Sequence, residues 1–193
     1  YSEKLYLKGR RCESDKCPVD ARKTRMVRGR RFRKTSEYGL QIKEKNKVKI
    51  YYGVLERQFR RYFEIARAGK GVTGELLLQI LERRLDNVVY RMTWAFSRRM
   101  ARQMISHRSV MVNGRIMDRS GYLVKIGDVV TLKPSSAYIE SARESREVRK
   151  AAPPPGWIES APDAFQGTVT RYNTRDEVTI PVNEQQIVNL YSK

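Results

Sequence analysis

The chain contains 193 residues with 40% hydrophobic side chains, and 40 Lys and Arg against 21 Asp and Glu give it a net charge of +19. This composition supports one large or two small domains with a buried core, and it excludes a wholly disordered tail. No apolar run approaches the roughly 20 residues that cross a bilayer, and the first residues lack the apolar core of a signal peptide, so we expect a cytoplasmic protein. Because the chain begins at Tyr1 rather than Met, we expect a further segment upstream.

The positive charge is concentrated in the first two thirds of the chain. Residues 1–70 carry 22 basic and 8 acidic side chains, residues 71–133 carry 11 and 5, and residues 134–193 carry 7 and 8. Solvated helix faces explain isolated charges, but they do not explain a sustained excess of this size. Such an excess attracts polyanions over long distances, so nucleic acid is the predicted partner.

Residues 1–35 predict a basic, extended arm. They hold 13 basic and 4 acidic side chains and show little apolar periodicity, so we expect the arm to order only on a partner. The side chains of this arm that are predicted to contact RNA phosphates are Arg10, Arg11, Arg22, Lys23, Arg25, Arg28, Arg30 and Arg31.

Cys12 and Cys17 form a C-x4-C pair within the arm, which supplies at most half of a four-thiolate zinc site. The other two ligands would have to come from residues before Tyr1, because His107 is the only histidine in the chain. A disulfide is disfavoured in a cytosolic protein. The residues of this chain alone therefore favour two free thiols over a zinc site or a disulfide.

Residues 36–92 predict an all-helical region. Ser36 is the predicted N-cap of a first basic helix that leads to Tyr51, Tyr52 and Gly53. These tyrosines are candidates for stacking on unpaired bases, although a tyrosine pair that closes a helix is more often packed. The lysines of this helix that are predicted to contact RNA are Lys43, Lys45, Lys47 and Lys49.

Two further helices follow in this region. The second ends at Gly69 and Gly71, and its polar face carries the predicted RNA contacts Arg57, Arg60 and Arg61. Thr73 is the predicted N-cap of the third helix, and Asp86–Asn87 indicate an irregular turn near its end. The apolar stripes of these helices are Leu55, Phe59, Tyr62, Phe63 and Ala66, and then Leu77, Leu81, Leu85 and Val88.

The segment SRRMARQMISHR predicts an amphipathic, arginine-rich helix with Ser97 as its N-cap. Met100, Met104 and Ile105 recur at helical spacing for burial. The opposite side carries Arg98, Arg99, Arg102 and Arg108, whose planar guanidinium groups bind phosphate oxygens in pairs. This helix is therefore predicted to hold a cationic face against RNA.

A small antiparallel sheet is predicted after this helix. The run VMV enters a type I′ hairpin at Asn113–Gly114, and Asn113 is a predicted RNA contact. GYLVKI and DVVTLK predict further strands. SSAYIESARESREVRKA predicts a solvent-facing helix, PPPGW a stiff linker, and VTIPVNEQQIVNLYSK a strand and a short helix.

No catalytic group is predicted. His107 lies among arginines at a helix end, where it more often caps carbonyls or contacts RNA than abstracts protons. Asp86 near Arg83, Arg84 and Arg91 is better explained as an ion-pair partner that orients arginines. The remaining predicted RNA contacts are Arg83, Gln103 and His107.

Five segments together resemble, in order and spacing, the bacterial ribosomal protein S4 family of the small subunit (uS4): RQFRRYFE, LERRLDNVVYRM, SRRMARQMISHR, VMVNGR and NEQQIVNLYS. The arm LYLKGRRC is similar to the cysteine-containing branch of that family, in which another C-x-x-C lies nearer the start. The resemblance thus implies that Cys12 and Cys17 form a zinc half-site. It does not extend to RMVRGRRFRK, which stands where many members have Pro-Pro-Gly-x-His-Gly.

The resemblance implies an α+β fold. A helical N-terminal domain would carry an inserted RNA-binding domain of the S4 type, in which helices pack on a small antiparallel sheet, and the arm would extend from the first domain. The predicted boundaries are 1–35 for the arm, 36–88 for the helical domain joined by the tail 183–193, and 89–182 for the S4-type domain with its helical and Pro-rich extension.

The resemblance also implies a structural, non-enzymatic function. The protein would be a primary binder of 16S ribosomal RNA that clamps a helix junction early in 30S assembly. It would lie near the mRNA entry side beside uS5 and uS3 and influence translational fidelity, with no membrane or small-molecule substrate involved.

Two alternatives are a free-standing RNA-binding protein with an S4 module and a fragment of an RNA-modifying enzyme. The flanking helical region is too short for a catalytic domain, and the terminal NEQQIVNLYS favours the ribosomal protein over the free-standing one.

Overall fold

The computed structural model describes residues 4–12, 14, 17, 19, 36–150, 152–161 and 163–192. Within these residues the chain forms seven α-helices, five β-strands and a short 3-10 helix at Gly9–Cys12. The helices are α1 Glu37–Tyr52, α2 Glu56–Ala68, α3 Thr73–Glu82, α4 Leu85–Arg91, α5 Arg98–Ser106, α6 Ile139–Val148 and α7 Glu184–Tyr191. The strands are β1 Val110–Val112, β2 Arg115–Ile116, β3 Val129–Leu132, β4 Ile158–Ser160 and β5 Gln166–Val169.

The first core is helical and lies between α1, α2, α3 and the returning C-terminal helix α7. The side-chain oxygen of Ser36 accepts a hydrogen bond from the Gly39 amide at 3.2 Å, which confirms the predicted N-cap of α1. Gly53, with φ of 62°, ends that helix in the left-handed region that glycine adopts without steric cost. Phe59 and Phe63 of α2 stack on Tyr191 of α7, so the tail completes the first core.

Three details of the helical region differ from the sequence predictions. Leu55 is 80% exposed because it occupies the N-cap position of α2, before the helical spacing begins. Thr73 is the first residue inside α3 rather than its cap, and Val72 in the cap position makes no side-chain hydrogen bond. The irregular turn falls between Glu82 and Leu85, slightly ahead of the predicted Asp86–Asn87.

The second core lies between the five-stranded sheet and helices α4 to α6. The strand order is β2-β1-β3-β5-β4, and every pairing is antiparallel. Trp94 and Trp157 are among the largest fully buried side chains of this core. Helices on one small antiparallel sheet beside a helical domain confirm the predicted α+β class.

The sheet contains one hairpin that the sequence did not indicate, and it lacks one predicted strand. Strands β4 and β5 pair at Ser160↔Gly167, after the predicted PPPGW linker, in a stretch for which no element was predicted. GYLVKI instead crosses to the α3–α4 turn, where the amide of Leu85 donates to the Tyr122 carbonyl at 2.8 Å. The tail segment VTIPV is also no strand, although Val178, Ile180 and Val182 are buried alternately in the first core.

None of the helices in the described part of the chain is long and apolar enough to cross a membrane.

Candidate nucleic-acid interface

Helix α5 presents the exposed cationic side of the second core. The Ser97 side chain accepts a hydrogen bond from the Met100 amide at 3.3 Å, which confirms the predicted N-cap. Met104 and Ile105 are fully buried, as their spacing predicted. A helix held by its apolar stripe keeps its exposed arginines at fixed positions.

The hairpin turn beside α5 has the predicted type I′ conformation. Asn113 and Gly114 have φ angles of 50° and 75°, both in the left-handed region. The Asn113 side-chain amide donates to Asp128 at 2.8 Å, and its oxygen accepts from the Val129 amide at 2.9 Å. These two hydrogen bonds of the Asn113 side chain fix the conformation of the turn. The tip of the hairpin is exposed.

Ten of the predicted RNA-contacting residues are exposed. Those of the first core lie on α1 and α2. Those of the second core lie on α5, directly after it, and at the hairpin tip. One further residue belongs to the 3-10 helix. These residues are Arg11, Lys43, Arg57, Arg60, Arg61, Arg99, Gln103, His107, Arg108 and Asn113.

Four other predicted contacts lie in the interior, which corrects the expectation that they face RNA. Lys47 is 4% exposed because the C-terminal tail covers α1, and its ammonium donates to the Pro181 carbonyl at 2.8 Å. Tyr51 and Tyr52 pack edge to face in the first core, as in the packing alternative. Arg98 lies between aromatic rings, with its Cζ 3.8 Å from the Tyr51 ring centroid and 4.4 Å from that of Tyr90.

Three more predicted contacts are half-buried and already paired. Lys45 and Lys49 both donate to Glu56. Burial alone would raise the pKa of Glu56, but hydrogen bonds from these two lysines and from Tyr191 outweigh it and lower the pKa from 4.5 to about 2. The third is Arg83, which donates to the Val124 carbonyl at 3.1 Å.

A buried ionic cluster joins the two cores. Glu82, at the end of α3, accepts hydrogen bonds from Tyr52 at 2.6 Å, from Asn87 at 2.7 Å and from Arg91 at 2.8 Å. Burial raises the pKa of Tyr52, and the neighbouring Glu82 carboxylate raises it further. Burial would raise the pKa of Glu82 too, but the charge of Arg91 outweighs it and the pKa is lowered. Glu82 is therefore a buried carboxylate held in its ionised form.

Asp86 forms the other half of this cluster. Arg84 donates to both of its oxygens, at 3.1 and 2.6 Å, and Arg102 of α5 donates to one oxygen at 2.7 Å. The predicted pairing of Asp86 with Arg84 is confirmed, but its second partner is Arg102, because Arg91 pairs with Glu82 and Arg83 with a backbone carbonyl.

Arg102 connects this cluster to the end of α1. Its guanidinium donates to the Gly53 carbonyl at 2.9 Å and to the Tyr52 carbonyl at 3.2 Å. Arg102 was predicted as a phosphate ligand, whereas here most of its donors are used within the protein. The glutamate, aspartate and arginines of LERRLDN indicated ion pairing, but no sequence signal indicated the backbone partners near Gly53.

The predictions for the arm fall mostly outside the described residues: Arg22, Lys23, Arg25, Arg28, Arg30, Arg31 and the side chain of Arg10. Cys12 is half-buried and its sulfur accepts from the Lys8 amide at 3.3 Å, while Cys17 is buried. The two thiols are not close to each other. No group of three His, Cys, Asp or Glu in the described ranges could hold a metal ion. The zinc half-site, whose other ligands would precede Tyr1, stays a prediction.

Two family profiles match the chain, and together they cover residues 1–130. The family profile described as "Ribosomal protein S4/S9 N-terminal domain" matches residues 1–82, and the "S4 domain" profile matches residues 83–130. Small ribosomal subunit protein uS4A of Symbiobacterium thermophilum is 51% identical over 98% of this chain and 92% of its own length. The uS4 protein of Acetivibrio thermocellus is 48% identical over 99% and 92%, and that of Dictyoglomus thermophilum 49% identical over 98% and 92%.

Proposed function

This chain belongs to the bacterial uS4 family of small ribosomal subunit proteins, and from that premise we propose that it clamps a junction of 16S ribosomal RNA between its two cores. Its homologues are structural proteins of the ribosome and not enzymes. The similarity to uS4 runs along 98% of the chain, which supports a ribosomal protein over a free-standing S4-module protein or a fragment of an RNA-modifying enzyme.

The clamp proposal rests on one observation: each core carries an exposed basic surface, and a buried ionic cluster holds the two cores together. The first surface comprises Arg57, Arg60 and Arg61 of α2 with Lys43 of α1. The second comprises the exposed residues of α5 and the hairpin tip. Because the Glu82 and Asp86 clusters link α3, α4 and α5 to the end of α1, the spacing of the two surfaces is fixed before RNA binds.

Such a clamp recognises shape rather than a linear base sequence. The major groove of A-form RNA hides its base edges from side chains, whereas phosphates and 2′-hydroxyls remain accessible. Arginines such as Arg61 and Arg99 contact phosphates in pairs of hydrogen bonds, which also fixes orientation. A helix junction presents converging phosphate backbones, and two rigid basic surfaces fit such a geometry.

The remaining parts of the proposal concern timing and neighbours. Binding a junction through a preformed surface suits an early step of 30S assembly, since no other protein is needed to complete the clamp. We place the protein near the mRNA entry side, next to uS5 and uS3, where its contacts influence fidelity. The support is that β2, Arg115–Ile116, is an exposed edge strand that can pair with a neighbouring protein.

Reconstitution tests this function directly. Full-length protein is added to 16S rRNA alone and to a 16S transcript in which the helices of the bound junction are separated onto two strands. We expect binding of the intact rRNA without other proteins and at least tenfold weaker binding of the split transcript. Equal affinity for both RNAs would contradict recognition of a junction.

We also propose that Cys12 and Cys17 supply two thiolates of a structural zinc site when two further ligands precede Tyr1. Elemental analysis of the full-length gene product tests this. About one zinc per chain supports the proposal, and less than about half leaves both residues as plain thiols.

A further inference from the structure

A small cavity opens where the N-terminal segment, α1 and α5 meet. Its volume is about 150 Å³. The walls include Leu7, Ile50, Tyr6 and Tyr51, and the cationic residues Lys8, Arg98 and Arg99 complete the lining. The cavity therefore combines aromatic walls with a positive rim.

One hydrogen-bond donor of this lining lacks an acceptor. Arg98 is 9% exposed, and its Nη2 atom is buried without a hydrogen-bond partner among the described residues. Its Nε donates to the Asn87 side chain at 2.8 Å, which leaves the buried Nη2 unsatisfied. The ring of Tyr51 stabilises the positive charge, but an aromatic face is a weak acceptor for an N–H group.

The rim of the cavity favours an anion. Lys8 and Arg99 are exposed and form no ion pair with any residue in the described ranges. Arg99 also belongs to the first turn of α5, where the unpaired amides and the helix dipole favour negative charge. A ligand with a hydrogen-bond acceptor on a flat ring would pair with Arg98 in the wall. A phosphate attached to that ring would pair with Lys8 and Arg99 at the rim.

We propose that this cavity binds one unpaired pyrimidine nucleotide of the rRNA. An apolar cavity of roughly 150 Å³ accommodates a single six-membered ring, which fits a pyrimidine and is small for a purine. The base inserts beside Tyr6, its keto oxygen accepts from Arg98 Nη2, and its phosphate lies between Lys8 and Arg99. This inference rests on the proposed rRNA function and adds a specific nucleotide subsite to it.

Filling the cavity tests the proposal. Ile50→Trp places a large side chain in the cavity from an α1 position that is 46% exposed, and Ile65→Trp makes the same change on α2 at 45% exposure, away from the cavity. Both variants and wild type are bound to 16S rRNA, and the Watson–Crick edges of its uridines and cytidines are probed chemically. Circular dichroism checks that each variant is folded.

Wild type and Ile65→Trp should protect one unpaired pyrimidine, whereas Ile50→Trp should leave it reactive and bind roughly tenfold more weakly, as expected for the loss of one stacked base. The salt dependence of Ile50→Trp should become slightly shallower, because the phosphate between Lys8 and Arg99 is displaced together with the base. Unaltered affinity and protection in Ile50→Trp, or equal losses in both variants, would overturn the proposal. Absence of rRNA binding by wild type would instead overturn the proposed function.

Two further arms complete the test. If Ile50→Trp does not fold, Arg99→Gln decides: it should weaken protection of the same base, and intact protection would overturn the subsite. Titration of the full chain with free uridine, cytidine and adenosine monophosphates tests the source of the ligand. Binding of a free pyrimidine nucleotide that persists when rRNA is bound would overturn assignment of the cavity to an rRNA residue.

Discussion

Arg102 lies on the helix that carries the second basic surface, yet its guanidinium contacts the first core. It donates to Asp86 and to two backbone carbonyls at the end of α1. Asp86 is almost fully buried, and a buried carboxylate requires charged donors to offset its desolvation. The Arg102 side chain therefore stabilises the contact between the two cores and is not part of the exposed basic surface.

Replacing Arg102 with Ala should lower the free energy of unfolding by about 1–3 kcal/mol, because charge-assisted hydrogen bonds to a buried carboxylate are lost. Urea denaturation measures the change. Arg99→Ala on the same helix is the matched control, and it should change the free energy by no more than about 0.5 kcal/mol because Arg99 is exposed. Equal stability of the two variants would show that the Arg102 contacts are not maintained in solution.

Glu56 gives a prediction for pH dependence. Its pKa is lowered from 4.5 to about 2, so its stabilising effect is complete above pH 4.5 and is lost as the pH falls towards 2. Glu56→Gln should therefore melt at a lower temperature than wild type at pH 6, and the difference should disappear near pH 2. Melting curves at pH 6, 4, 3 and 2 measure this difference.

Glu64→Gln on the same helix is the control for that series. Among the described residues, Glu64 has only a long ion pair to Arg60, at 3.6 Å on an exposed surface. A constant gap between wild type and Glu56→Gln across the whole pH range would contradict the assigned role of Glu56.

At the scale of elements, helix α5 depends on its buried stripe. Met104 is fully buried against the sheet, and an unpaired carboxylate at that position would have neither water nor a partner. Met104→Asp should destabilise the second core by about 3 kcal/mol or more. Loss of near-ultraviolet dichroism from Trp94 and Trp157, both buried in the same core, reports the unfolding.

Gln103→Asp is the matched control for this substitution, since it introduces the same charge one residue away on the exposed side of α5. It should leave the near-ultraviolet spectrum unchanged. If Met104→Asp melted like Gln103→Asp, the inward side of α5 would be assigned wrongly.

At the scale of the whole molecule, charge governs the interaction with rRNA. Residues 1–70 carry 22 basic and 8 acidic side chains, whereas residues 134–193 carry 7 and 8. If about eight phosphates are neutralised, the logarithm of the binding constant should fall with the logarithm of salt concentration at a slope of roughly −6 to −7. Filter binding at several potassium concentrations measures the slope, and a value shallower than about −2 would contradict an electrostatic clamp.

Elements with a strong local signal could be predicted from the amino-acid sequence. Ser36 and Ser97 were correctly identified as N-caps, because a side-chain oxygen next to the first amides of a helix acts locally. The type I′ turn at Asn113–Gly114 followed from the residues that tolerate positive φ. The sequence also indicated the family, the α+β class and the concentration of basic charge.

Which basic side chains remain exposed depends on tertiary contacts and could not be predicted from the sequence. Lys47 and Arg98 carry the same charge as Lys43 and Arg99, but the tail covers the first and aromatic rings surround the second. The β4–β5 hairpin, too short to give a periodic signal, exists because β3 provides a partner edge. Burial depends on residues that are distant in sequence, and hydrophobic periodicity within one helix contains no information about them.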